Sequence, residues 1–167
     1  MKGYPKGFLT VLLAVLALLL VSGLLLAPTT LTLHAQWSMT WRLSTTARSV
    51  VAWTHASGAL VTLVLLGALW TVHMRMGWRR AKSRVSGSAM VIMMALLAAS
   101  ALGVYYLGDG EWYGVNALLH LVLGVVVAVQ LPVHWILADQ RRRAQRVRHH
   151  TLKSAELAVK VATKGQQ

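Results

Sequence analysis

The chain has no cysteine, one phenylalanine, three prolines and only four acidic residues in 167. Without cysteine there is no disulfide, no thiolate metal site, no iron–sulfur cluster and no thioether-linked haem. The acidic residues are Asp109, Glu111, Asp139 and Glu156, and none falls inside a long apolar run. That distribution argues against a carboxylate relay for protons across a membrane. No nucleophile–base arrangement for independent catalysis is visible either.

What the chain does contain is apolar length. Hydrophobic residues make up 56% of it, and four runs, roughly 7–28, 49–74, 88–108 and 114–138, are each long enough to cross a bilayer. A hydrocarbon core of about 30 Å takes about 20 helical residues. In lipid a helix satisfies its own backbone, so the expected class is all-α, and short links between runs favour a transmembrane four-helix up-down-up-down bundle. The apolar core of the first run, Phe8 to Ala27, exceeds the ~7–15 residues of a secretory signal and is read as a retained helix. Two domains are expected: a membrane domain over 1–140 and a basic cytoplasmic tail over 141–167. In the tail, Leu152, Leu157, Val159 and Val161 among basic residues suit either a helix on anionic lipid or a partner, or a solvated, partly disordered end.

The net charge of +13 has a topological explanation before any other. With the N-terminus inside, all but Arg42 and Arg48 of the 17 Lys and Arg lie in the inner segments, a decisive positive-inside distribution. The expected location is therefore a bacterial inner membrane, multi-pass, with both termini cytoplasmic and the basic residues facing lipid headgroups, not nucleic acid. The outer loop from Pro28 to Ser49 carries Trp37 and Trp41 four residues apart, as a short surface helix or a plain loop requires. His34 is expected in that loop, solvated and without a mate. Met90, Met93 and Met94 on the third run suit packing or lipid contact.

Histidine is the informative residue. His55 and His73 are five helical turns apart, so they share one face about 27 Å apart in height. His120 and His134 lie about 40° off a common face and about 21 Å apart. The second and fourth runs descend in the same direction, which matches His55 with His120 near the outside and His73 with His134 near the inside. Pro132, two residues before His134, is expected to bend the fourth helix. Ionisable residues in a membrane are functional suspects. Such pairs suit the two axial nitrogens of a haem b; hydrogen-bonded packing histidines and a histidine-lined zinc or copper path are the alternatives. Gly58 and Gly124 beside the histidines would make room for a porphyrin, and its propionates would meet Arg42 and Arg48 outside and Arg75 and Arg79 inside. A weak internal repeat runs through the halves, each with small residues near the outer end of its first helix and two histidines on its second.

These features resemble the four-helix, dihaem b-type membrane cytochromes of bacterial respiration. The match is carried by Ser22-Gly23 near the end of the first helix, by His55, Gly58 and His73, and by His120, Gly124 and His134, over roughly residues 7–140. The chain is also similar to the core of cytochrome b in bc complexes, from whose near-equal spacings the eighteen residues between His55 and His73 depart. The resemblance implies two non-covalent, bis-histidine haems b and electron exchange with the quinone pool. The chain would be a subunit of a larger redox complex, with quinone or quinol as a further ligand, and not an enzyme by itself. A histidine-based metal or proton transporter, or a structural assembly subunit without cofactor, remains the other class of function.

Overall fold

The computed structural model describes residues 5–70, 84–108 and 110–164. Four helices follow one another in it: α1 (Phe8–His34), α2 (Thr45–Leu69), α3 (Arg84–Tyr106) and α4 (Glu111–Lys164). No strand occurs among the described residues. Each helix contains a stretch long and apolar enough to cross a membrane; the chain is an all-α, multi-pass membrane protein. It divides into two compact units, residues 1–129 and 130–167. The first holds α1, α2, α3 and the beginning of α4, and the second holds the remainder of α4 with the basic segment.

Local chemistry accounts for where the helices begin and end. Pro28 lies inside α1, and its missing N–H costs one rung without ending the helix; the Thr30 and Thr32 hydroxyls donate to Leu26 O and Pro28 O at 3.5 and 2.8 Å. The end of α1 closes when the N–H groups of Ala35 and Trp37 both reach Leu31 O, at 3.0 and 3.3 Å. Gln36 takes φ 55° there, the left-handed position of such a helix end that glycine usually fills. Ser44 caps α2 by accepting from the Ala47 N–H at 3.3 Å, so α2 starts at Thr45 and not near residue 49. The connection that remains is non-helical, with Trp37 and Trp41 exposed: a plain loop. Gly108, at φ 67°, supplies the turn out of α3.

One expectation changes and one open alternative is decided. His34 is not a loop residue: it is the last residue of α1, half-buried, with its ring edge-on to Tyr113 at 5.2 Å. The basic segment after residue 140, left open between a helix and a partly disordered end, is helical, because α4 continues to Lys164. Along the way Asp139 accepts from Arg143 at 2.8 Å, one turn on, a spacing that supports an exposed helix.

Neighbouring helices of the first unit run antiparallel. A Cβ on Gly23 would meet His55, and one on Gly58 would meet Leu19 and Leu18, so the partner on α2 advances as the residue on α1 recedes. Between α3 and α4, Gly103 lies against Asn116 and Ser100 against His120, the same reversed order. Burial is inverted relative to a water-soluble bundle. Ser22, Thr62 and Ser100 are among the most buried side chains, while many leucines, valines and tryptophans are exposed. Lipid is as apolar as leucine, so the apolar face needs no burial and small or hydrogen-bonding residues hold the helices together.

Candidate functional site: a facing histidine pair

His55 on α2 and His120 on α4 face each other in the first unit, with ring centres 6.3 Å apart and ring planes 85° from parallel. Each points inward because its helix does. Ala117, Leu123 and Val127, at −3, +3 and +7 from His120, form the buried stripe of α4. Gly58 and Thr62, at +3 and +7 from His55, are the buried residues of α2. The Thr62 hydroxyl donates to Gly58 O at 2.9 Å, so it brings no unsatisfied polar group to that face.

Each imidazole is held from behind by a serine of the preceding helix. Ser22 Oγ lies 2.9 Å from His55 Nδ1, and Ser100 Oγ lies 2.9 Å from His120 Nδ1. The side-chain contacts to both rings are made at Nδ1, and the carbonyls of Leu19 and Leu97, which also accept from Ser22 and Ser100, stand beside His55 and His120 as well. Gly23 allows the close approach on one side, since a Cβ there would stand 3.2 Å from His55 Cε1. On the other side Asn116 Nδ2 donates to Ser100 O at 2.8 Å, joining α4 to the backbone of α3 beside the serine. The Ser22, Ser100 and Asn116 contacts were not drawn from the sequence, although each residue is a polar interruption of an apolar run and so a suspect by the rule that singled out the histidines.

The separation of the rings suits two imidazoles that share one metal ion. A metal–imidazole bond of about 2 Å, plus roughly 1.2 Å from nitrogen to ring centre, puts two rings about 6 Å apart across one ion. Among the described residues no three or more His, Cys, Asp or Glu side chains gather, so a site closed by four protein ligands, as structural zinc needs, is not assembled there. A porphyrin brings its own four equatorial nitrogens and asks the protein for two. Gly124, one turn beyond His120 on the same face, borders open space: a Cβ there would meet nothing within 4 Å. Gly58 has a different role, packing against Leu18 and Leu19 of α1, the nearest atom 3.2 Å from where its Cβ would be.

The other expected residues are placed as follows. Arg42 is exposed in the α1–α2 loop and Arg48 is half-buried in the first turns of α2; neither guanidinium has a hydrogen bond or ion pair among the described residues. His73, Arg75 and Arg79 lie outside the described residues. His134 is half-buried in the second unit, one turn from Gln130, whose Oε1 is buried without a hydrogen-bond partner among the described residues.

Fold and site together define a multi-pass α-helical membrane protein with two inward-facing, serine-backed histidines on its second and fourth helices. Set beside protein-family models, curated proteins and solved structures, the chain matches none of them.

Proposed function

We propose that the chain is a membrane dihaem cytochrome b that passes electrons between the quinone pool and a redox partner, as a subunit of a respiratory-type complex. The observation that carries this is the facing of His55 and His120 at 6.3 Å with Nδ1 of each already engaged. These two histidines would hold one haem b near the outer face, and sequence spacing alone gives His73 and His134 as the candidates for a second. When bound, haem b supplies a one-electron couple at a six-coordinate iron, which leaves no open position for oxygen or substrate.

The chain's own contribution is to bind, orient and shield. His55 and His120 ligate, and Ser22 and Ser100 keep their rings in place. Gly124 leaves room beside His120, and the apolar exterior of α1–α4 keeps water away. Arg42 and Arg48 are free to pair with carboxylates at the outer interface, as Arg75 and Arg79 would be at the inner one. The positive-inside distribution of Lys and Arg supports a reading in which both termini lie on the cytoplasmic side of a bacterial inner membrane. With no acidic residue in the apolar runs, protons of a quinol would be exchanged at a membrane surface and not carried through the bundle.

The test is the visible spectrum and haem content of the full chain purified in detergent. Two non-covalent haems per chain by pyridine haemochrome, reduced by a quinol analogue and unmoved by carbon monoxide after reduction, are expected. A colourless protein, or strong carbon monoxide binding to the reduced native form, would overturn the proposal.

A further inference from the structure

The two serines decide which nitrogen of each histidine carries the proton. Ser22 Oγ lies 2.6 Å from Leu18 O and 3.2 Å from Leu19 O. A carbonyl oxygen has no proton to give, and two oxygens approach to 2.6 Å only with a hydrogen between them. The single hydroxyl proton of Ser22 is therefore directed into its own helix. Ser100 does the same, with its Oγ 2.9 Å from Leu97 O. A serine hydroxyl has one donor and two acceptor lone pairs. Toward the histidine, each serine can thus only accept, and the contacts of 2.9 Å to His55 Nδ1 and His120 Nδ1 place the ring proton on Nδ1 in both.

We propose that Ser22 and Ser100 are a matched pair of positioning residues that lock His55 and His120 as Nδ1–H tautomers, so that both Nε2 lone pairs are offered to one bound metal centre. The role of the pair toward haem iron rests on the function proposed above; the lock itself does not. The same device occurs twice, once between α1 and α2 and once between α3 and α4. In each case the serine's helix precedes the histidine's, and the serine is almost fully buried, at 4% and 5% exposure. A hydroxyl used only to satisfy its own helix would have no need of the imidazole. An accepting partner on Nδ1 also makes Nε2 a stronger donor to a metal and fixes the angle of the ring.

The lock is read directly by nitrogen NMR of the full chain, labelled with ¹⁵N-histidine and prepared without cofactor in detergent. His55 and His120 are expected as neutral rings with Nδ1 protonated and Nε2 bare. Ser22→Ala should shift His55 alone toward a mixture of tautomers, Ser100→Ala should shift His120 alone, and Ser→Thr at either position should restore the wild-type pattern. In the haem-loaded chain, each alanine variant should weaken haem affinity by about 10–100-fold and raise the midpoint potential of the outer haem, since a less basic imidazole favours the reduced iron. Threonine should again restore both. Nε2–H tautomers in the wild-type chain, or alanine variants with unchanged tautomers and unchanged potential, would overturn the proposal. The wild-type spectrum and the threonine variants decide the matter even if an alanine variant fails to fold. A chain that shows the lock but takes up no haem defeats only the electron-transfer function, and a haem protein indifferent to both serines defeats only the lock.

Discussion

Alanine at His55 and alanine at His120 are expected to abolish the same haem. Both side chains come to one centre, their rings 6.3 Å apart, so losing either leaves a single axial nitrogen. Haem content should fall from two per chain to one in each variant, and the double variant should lose no more than either single one. The spectral component that disappears should be identical in the two, whereas His34→Ala should retain both haems, because His34 packs on Tyr113 and not on the pair. Loss of different components from the two variants would break the pairing. The same centre has an expected magnetic signature. If the rings kept their 85° angle on a bound haem, each imidazole would donate into a different d orbital of the low-spin ferric iron, and the two orbitals would lie close in energy. The outer haem should therefore give a strongly anisotropic resonance with one large g value, and the His55→Ala and His120→Ala variants should both lack it. A rhombic spectrum with moderate g values would mean that the rings turn toward parallel when the site is loaded.

The largest purely structural effect is expected at Gly103. A Cβ there would fall 2.6 Å from the Asn116 carboxamide, a distance no packed methyl group tolerates. Asn116 cannot yield without giving up its 2.8 Å bond to Ser100 O. Gly103→Ala should therefore destabilise the α3–α4 contact by about 1–3 kcal/mol, as overpacking does, and should loosen the serine behind His120 with it. Adding Asn116→Ala should recover part of the loss, a non-additivity of about 0.5–3 kcal/mol for side chains in contact. Thermal melting in detergent, followed by tryptophan fluorescence, measures each term of that cycle. Gly124→Ala is the opposite case. Its Cβ would meet nothing within 4 Å, so the bare chain should gain about 0.5–1 kcal/mol from the better helix former. If the full effects at Gly103 and Gly124 were equal, the packing on this side of α4 would be misassigned.

The helices were legible because membrane spans carry their signal in bulk composition. Four apolar runs yielded four helices, and the inward faces of His55 and His120 followed from counting residues along each run. The ends were less legible, since they depend on single bonds. Gln36 closing α1 and Ser44 opening α2 are individual choices that apolar periodicity does not register. They are why His34 became part of a helix and the outer loop shortened. Pro28 suggested an end to α1, but a proline removes only one N–H and the helix continues past it to His34. Ser22, Ser100 and Asn116 lay hidden for another reason. Serine and asparagine in an apolar run read as small or slightly polar packing residues until a partner on another helix is seen. Gly58 was expected to leave room for a porphyrin, and what stands against it is α1. His73, Arg75 and Arg79 fall outside the described residues, so the inner pair rests on spacing.

The inverted interior has a consequence for how such a molecule is put together. Lipid gives apolar side chains no reason to leave it, and no large side chain is fully buried among the described residues. Cohesion between helices then depends on directional bonds, and among the described residues two sets stand out: Ser22 with His55 joins α1 to α2, and Ser100 with His120 and Asn116 joins α3 to α4. Each set ties one antiparallel helix pair together and fixes its register. Across the divide stand His34 against Tyr113 and the two facing imidazoles. A group that bonded to both rings would act as a clasp between hairpins, and filling the site would be the last step of assembly as well as the start of function.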